Sequence, residues 1–481
     1  MFFLFFAKIA RIIRFFILTF ARLVLKFRNL WILLLSFSCL LAFDYKISGR
    51  VGSFSRVGFN NSAINSNKGI YPTGSYITTV GMLQIDVNLL PKSVSAHKLK
   101  AGIGGELGAL AFDSTKTLIN QSDPSAGYQP AGWYYIGRWQ GYLLNAPWAK
   151  SNYGNSLYAH NYIIYNAYIS YAYKDIAGCT LGRYRSHALF LSDHNQGFEC
   201  FVKKKSWRLD WFSSYGRGRS TLQYIRDFYA PVQYKFADGK RFNYGMHAAT
   251  LSWKNKSWDI KTFLWFYPKN YSAPGGQISY DTKQSLKTWR IENHFYFWFP
   301  IYTKELASTY WRSSSIQHFT ASILFQQNFL IHKYHFGWSV YKNFGNSNAM
   351  FARFGTPINY DTKDNTPYDS RLDNLYNANA LTLVARGGGA YKKLSWEVLG
   401  RLTYSPKANE QALGFTCFYN VTKNIRVMLR LNYYEVFTYR GYKVGYSGAP
   451  NFKFAPTIQD HSYLMTSISY QFGGFTKFIK K

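Results

Sequence analysis

Apolar and polar residues alternate along much of this chain with a period of two. The pattern is clearest from residue 425 to 433, where five apolar side chains alternate with four that are mostly polar. Strict alternation is typical of a β-strand with one apolar and one wet face. Similar segments recur at intervals of about ten to fifteen residues, with no long helical period between them. The sequence therefore predicts an all-β protein.

The last alternating segment runs from His461 to Phe472. Leu464, Thr466, Ile468, Tyr470 and Phe472 share one face, and the other face carries Met465 and small polar residues. A soluble sandwich could contain such a strand, but an aromatic residue that closes a final strand is also how outer-membrane barrels end. By that resemblance we expect the barrel-assembly machinery to bind the strand ending at Phe472. Residues 473–481 then form a short basic tail.

Composition favours a membrane barrel over a large aromatic-rich soluble β protein, the alternative class. Aromatic residues make up 20% of the chain, yet the mean hydropathy is only −0.23. Strands with lipid on one side and water on the other average to this value, and aromatic girdles explain the many rings. We predict an all-β, transmembrane antiparallel β-barrel over residues 43–472. The expected strand number is eighteen if 277–281 forms a strand, with sixteen as the fallback.

The first 42 residues have the features of a signal peptide with an extended basic and apolar N-terminus. Lys26 and Arg28 precede an uncharged apolar run from Trp31 to Ala42. That run is short for a membrane-spanning helix. The first predicted strand follows directly at Phe43. This order places the mature protein in the bacterial outer membrane.

The formal charge of +34, from 57 Lys and Arg against 23 Asp and Glu, raises the question of nucleic acid. The basic residues are spread singly along alternating strands, and no nucleic-acid-binding motif is present. We therefore expect no nucleic-acid partner and instead a basic lumen. Rings of basic side chains favour anions. The predicted lumen charge ladder comprises Arg208, Asp210, Lys261, Arg290, Glu292, Lys333, Arg386, Glu397, Arg401, Arg426 and Arg430.

Opposite charges in this set share faces of the predicted strands. An alternative role for them is therefore mutual pairing that only makes the barrel rigid.

Whether two of the cysteines form a disulfide is also open. Cys179 and Cys200 would lie on neighbouring strands, but the periodicity assigns them to different faces. A disulfide is compatible with an oxidising compartment, and its formation stays open at this point. The cysteines are too few and scattered for a metal site.

The stretch from Leu181 to Glu199 resembles the third-loop region of OprD-type porins. A strand ends in Gly-Arg, a loop of about ten residues follows, and Gly-Phe-Glu begins the return strand. The resemblance implies that this loop constricts the lumen. The long segment 113–156, which is rich in Tyr, Trp and Gly, is a rival candidate for a lumen-filling loop. The implied constriction residues are Arg183, Arg185, Ser192, Asp193, His194 and Glu199.

The high charge, aromatic richness and strand number together resemble the Helicobacter-type outer-membrane proteins called the Hof family, which are regarded as OprD-like porins. The resemblance implies passive or substrate-selective diffusion of small, anionic or polar solutes. The alternative is an adhesin whose long aromatic loops, such as 113–156 and 344–378, bind host surface ligands. We expect lipid and lipopolysaccharide as further partners, no cofactor or metal, and no enzymatic activity.

Overall fold

The computed structural model describes most of the residues predicted to form the barrel. The described residues are 44–91, 94, 96–114, 118–124, 162–191, 194–223, 225–229, 234–235, 238, 241–268, 271–283, 288–302, 319–345, 374, 377–444 and 449–473. The predicted signal peptide, 1–42, and nearly all of the tail lie outside them. Within the described residues, no helix is both long enough and apolar enough to span a membrane.

Eighteen long antiparallel strands form one closed sheet, and each strand pairs with its neighbours in chain order. The ring is completed by pairing of the first strand with the last, where Val51 lies opposite Tyr470. The strands are β1 Asp44–Gly58, β2 Tyr76–Asn88, β3 His97–Asp113, β4 Tyr162–Tyr173, β5 Ala177–Arg185, β6 His194–Lys204, β7 Trp207–Ser220, β8 Met246–Lys254, β9 Trp258–Tyr267, β10 Tyr271–Asp281, β11 Trp289–Trp298, β12 Ala321–Ile331, β13 Tyr334–Phe344, β14 Leu381–Tyr391, β15 Leu394–Tyr404, β16 Ala408–Asn420, β17 Ile425–Thr438 and β18 Tyr463–Phe472.

The predicted barrel is confirmed, including its strand number. Residues 277–281 end β10, so the condition for eighteen strands is met. The described parts of the connections contain five shorter strands: Ile225–Tyr229, Tyr234–Lys235, Arg241–Phe242, Ile301–Tyr302 and Thr457–Asp460.

Side chains alternate between the outer and inner faces as the sequence pattern predicts. On β7, Trp211 is 40% exposed on the outside, whereas the next residue, Phe212, is buried inside. On β9, Leu264 is exposed and Trp265 is fully buried. A closed sheet leaves no free edge in the lipid, so all backbone groups of the wall can be paired. The outer face is apolar, and the inner face carries the polar and charged side chains.

Connections of two kinds separate the two ends of the barrel. The connections that follow even-numbered strands all meet at one end, and most are tight turns, such as 205–206 and 392–393. Most connections at the opposite end are long. In outer-membrane barrels the short turns face the periplasm and the long loops face outward. We refer to the two ends as the turn end and the loop end.

Cys179 and Cys200 form a disulfide between β5 and β6. The register places these two residues directly opposite each other, with their Cα atoms 4.0 Å apart. The face assignments from periodicity, which separated the two cysteines, were therefore wrong. The bond joins the two strands that flank the predicted constriction loop.

Candidate pore constriction

The loop between β5 and β6 folds into the barrel. The Glu199 carboxylate, on β6, accepts a hydrogen bond from the Ser186 hydroxyl. It accepts a second one from the His187 backbone amide, with a nitrogen–oxygen distance of 3.5 Å. The Ser186 Oγ in turn accepts a hydrogen bond from the Ala188 amide, at 3.0 Å. Glu199 thus holds the start of the loop against the inner wall.

The rest of this loop reaches across the lumen. Residues 188–191 pack against a largely aromatic cluster on β7 to β15, which extends from the strand beside β6 to strands far around the wall. The Phe190 ring lies 5.5 Å from Phe263, 6.0 Å from Tyr296 and 5.7 Å from Trp298, measured between ring centroids. A segment that begins on one side and packs on the other must narrow the passage. We call residues 186–191 the third-loop segment.

A second segment, residues 221–229, also folds inward. It follows β7, but Leu222 packs against inner-face residues of β1, β2 and β18, and Ile225 packs against β2 and β4. Thr78 Oγ1 donates a hydrogen bond to the Leu222 carbonyl at 2.7 Å, and Gln223 donates one to the Tyr76 hydroxyl. We call residues 221–229 the fourth-loop segment. From the sequence, residues 217–240 are predicted to form a long external connection, although the apolar residues at 222, 225 and 228 are a signal of burial.

The predicted constriction residues are divided between these features. Arg183 donates hydrogen bonds to the Gln196 side chain and the Ile164 carbonyl, and its guanidinium lies 4.5 Å from the centre of the Phe228 ring in the fourth-loop segment. Arg185 lies close enough to Arg50 on β1 for their charges to interact.

His194 is buried, and its ring lies 5.1 Å from that of Tyr165. Glu199 anchors the third-loop segment. Ser192 and Asp193 lie outside the described residues, as does most of the rival segment 113–156.

Several members of the predicted charge ladder are held in ion pairs. The shortest nitrogen–oxygen distances are 2.7 Å for Arg208 and Asp210, 2.7 Å for Arg290 and Glu292, and 3.7 Å for Lys261 and Asp259. The Glu397 carboxylate lies 3.5 Å from Nε2 of the His335 ring. On this part of the wall the charges largely compensate one another.

The arc formed by β14, β17 and β1 is more basic. Arg386 donates to Asn328 at 2.6 Å, Arg430 donates to Thr416 at 2.9 Å, and Arg426 lies 4.1 Å from the centre of the Phe418 ring. On β1, Arg50 donates to the Met82 sulfur and Arg56 lies over the Tyr463 ring. We call these five residues the arginine arc. These five contacts are all with neutral groups, and the carboxylates of Glu397 and Glu106 lie near enough for their charges to interact with the arc.

Two predicted ladder residues occupy other environments. The Arg401 side chain is fully buried in an ion pair with Glu410, at 2.7 Å. Asn374, from the connection between β13 and β14, covers this pair and donates its amide to Glu410 at 2.6 Å. Lys333 lies in the tight turn between β12 and β13. Neither side chain is part of the arginine arc.

Comparison with known protein families identifies the family of this chain. Residues 30–472 match the family model described as "Putative outer membrane protein". The chain belongs to this outer-membrane protein family. The expected likeness to Helicobacter-type proteins and the expected location in the bacterial outer membrane are thereby confirmed. No curated protein matches the chain.

Solved structures of OprD- and Occ-type porins have the same fold. OccAB2 of Acinetobacter baumannii is 9% identical, with a TM-score of 0.59, and the match covers 89% of this chain and 98% of that one. OpdK of Pseudomonas aeruginosa, solved with vanillate, is 9% identical, with a TM-score of 0.58 and coverage of 89% and 99%. OccK9 (OpdG) of the same organism is 10% identical, with a TM-score of 0.58 and coverage of 89% and 98%.

Proposed function

We propose that this protein is a porin through which small anionic or polar solutes diffuse across the outer membrane. The observation that carries the proposal is the pair of inward segments beside the arginine arc. A barrel of eighteen strands is wide enough to enclose an aqueous lumen. The third-loop and fourth-loop segments narrow that lumen without any globular plug among the described residues. A solute would pass between them, close to Arg50 and Arg185.

The positive charge beside the two inward segments favours the passage of anions. Arginine side chains around a narrow aqueous passage lower the electrostatic barrier for an anion and raise it for a cation. The low-dielectric wall concentrates this field. Vanillate, which is present in the OpdK structure, is a small aromatic carboxylate, and a solute of that class would suit the arc and its neighbouring rings. The adhesin alternative finds no support among the described residues or in the similar structures.

Neutralising Arg185 should weaken anion preference more than neutralising Arg208. Arg185→Gln removes a charge beside Arg50, whereas Arg208→Gln removes the same charge from a site where Asp210 already compensates it. We expect the anion-to-cation permeability ratio to fall by about twofold or more for Arg185→Gln. The reversal potential of each variant in a planar bilayer under a salt gradient measures this ratio. Equal shifts in both variants would mean that total lumen charge, and not the constriction, sets selectivity.

A further inference from the structure

The turn end of the barrel carries a collar of lysines. Seven of the connections at this end contain or adjoin at least one exposed lysine. A positive charge is thus repeated around most of the rim. We define the lysine collar as Lys174, Lys204, Lys205, Lys254, Lys256, Lys283, Lys333, Lys392, Lys393 and Lys423.

The protein itself neutralises little of this charge. Lys254 lies 3.7 Å from Asp259, but the other collar lysines form no ion pair with any residue that the structure describes. Nearby, Lys203 pairs with Asp175 in the exposed turn, and this contact lowers the pKa of Asp175. Lys393 donates a hydrogen bond to the Val421 carbonyl at 3.0 Å, and the ammonium groups of Lys174 and Lys392 lie 5.5 Å and 5.3 Å from the centres of the Tyr173 and Tyr391 rings. These neutral contacts do not cancel the charge, so the collar can still attract an anionic ligand from outside the chain.

Outward-facing aromatic residues adjoin the collar along the sequence. Tyr173 precedes Lys174, Tyr334 follows Lys333, and Tyr391 precedes Lys392; the three rings are 37%, 58% and 62% exposed. Trp207 and Trp258 each follow a collar lysine by two residues. Such outward rings settle at the interface between lipid tails and headgroups. The adjacent ammonium groups therefore reach the level of the lipid phosphates.

Backbone conformation gives an independent indication. Lys174, Lys205, Lys283 and Lys392 have φ values of 48°, 54°, 49° and 50°. This left-handed region suits glycine and asparagine, and other residues enter it at a cost. The chain thus holds lysine at four positions where an uncharged turn residue would be less strained. Turn geometry alone does not account for the lysines.

We propose that the lysine collar binds the headgroups of anionic phospholipids in the leaflet that faces the turn end. Phosphate groups complement the collar in charge, and juxtamembrane lysines are attracted to anionic leaflets. The outward rings fix the depth at which the ammonium groups meet those phosphates. This inference depends on the outer-membrane location and not on which solute the lumen admits.

Quenching of tryptophan fluorescence by brominated lipids tests the proposal. The barrel is refolded into vesicles that contain either brominated phosphatidylglycerol or brominated phosphatidylcholine at equal mole fraction. The native protein should prefer the brominated phosphatidylglycerol over the brominated phosphatidylcholine by about threefold. The preference should fall at high salt, which screens exposed charges. Equal quenching by the two lipids at low salt would overturn the proposal without the use of any variant.

A quadruple variant locates the effect. Asparagine at the four left-handed positions 174, 205, 283 and 392 removes four charges while suiting the backbone, so folding should be retained. The control replaces four basic residues near the loop end with asparagine: Lys68, Lys407, Arg440 and Lys453. We expect the lipid preference to disappear in the first variant and to persist in the control. Persistence in both variants, or loss in the control alone, would overturn the assignment to the collar.

Discussion

Releasing the third-loop segment from the inner wall should raise single-channel conductance by about twofold or more, because the narrowest part of a pore dominates its resistance. The variant is Leu189→Ser, Phe190→Gly and Leu191→Ser. It removes the apolar contacts with the cluster on β7 to β15 that hold the segment across the lumen. Phe190 has a φ of 68°, so glycine fits its backbone conformation. Conductance in a planar bilayer measures the effect.

Two companion variants separate loop release from general damage. Glu199→Gln weakens the hydrogen bonds to Ser186 and His187 at the start of the same segment. It should therefore increase current noise and raise conductance, as the triple variant does. Phe452→Gly removes a ring that is 68% exposed near the loop end and should leave conductance unchanged. If the triple variant conducts like the native protein, the third-loop segment does not form the constriction.

Glu410→Ala should lower the free energy of unfolding by about 3–5 kcal/mol, because Arg401 would remain buried without its counter-ion. Both side chains are fully buried. The variant also leaves the Tyr434 hydroxyl and the Asn374 amide without the acceptor they share. Urea-induced unfolding in lipid vesicles, followed by tryptophan fluorescence, gives the difference in free energy.

The matched control is Arg290→Ala. Its side chain is 46% exposed and pairs with Asp281 at 2.8 Å, so the expected loss is within about 1 kcal/mol. A cycle that includes Arg401→Met and the double variant isolates the coupling between Arg401 and Glu410. The double variant, Arg401→Met with Glu410→Ala, should recover part of the free energy of unfolding that Glu410→Ala alone loses. A cost for Glu410→Ala no greater than that of the control would contradict a structural role for the buried pair.

The strands and their faces could be predicted from the sequence because alternation is a local property. Lipid contacts one face of every strand, so the choice between Leu264 outside and Trp265 inside is already encoded by neighbouring residues. The strand count followed from the same rule, since up and down strands must alternate. It depended on recognising that residues 277–281 continue a strand.

The interior could be predicted only in part, because its contacts join residues distant in sequence. Resemblance identified the loop after Arg185, but not that Phe190 packs on β9 and β11. Ile225 was assigned to an external loop, since nothing local marks β2 and β4 as its partners. Arg401 has the periodicity of a lumen residue, but it is buried in an ion pair with Glu410, which also accepts a hydrogen bond from Asn374 in a distant connection.

The reversal potential of the native protein under a salt gradient tests most simply whether the barrel is an open pore that prefers anions. Residues 43–481, which lack the predicted signal peptide, are refolded and inserted into a planar bilayer. We expect stable single-channel steps and a reversal potential of the sign set by anion permeation, with the anion preference reduced at high ionic strength. A well-folded barrel that conducts no current, or that prefers cations, would contradict it.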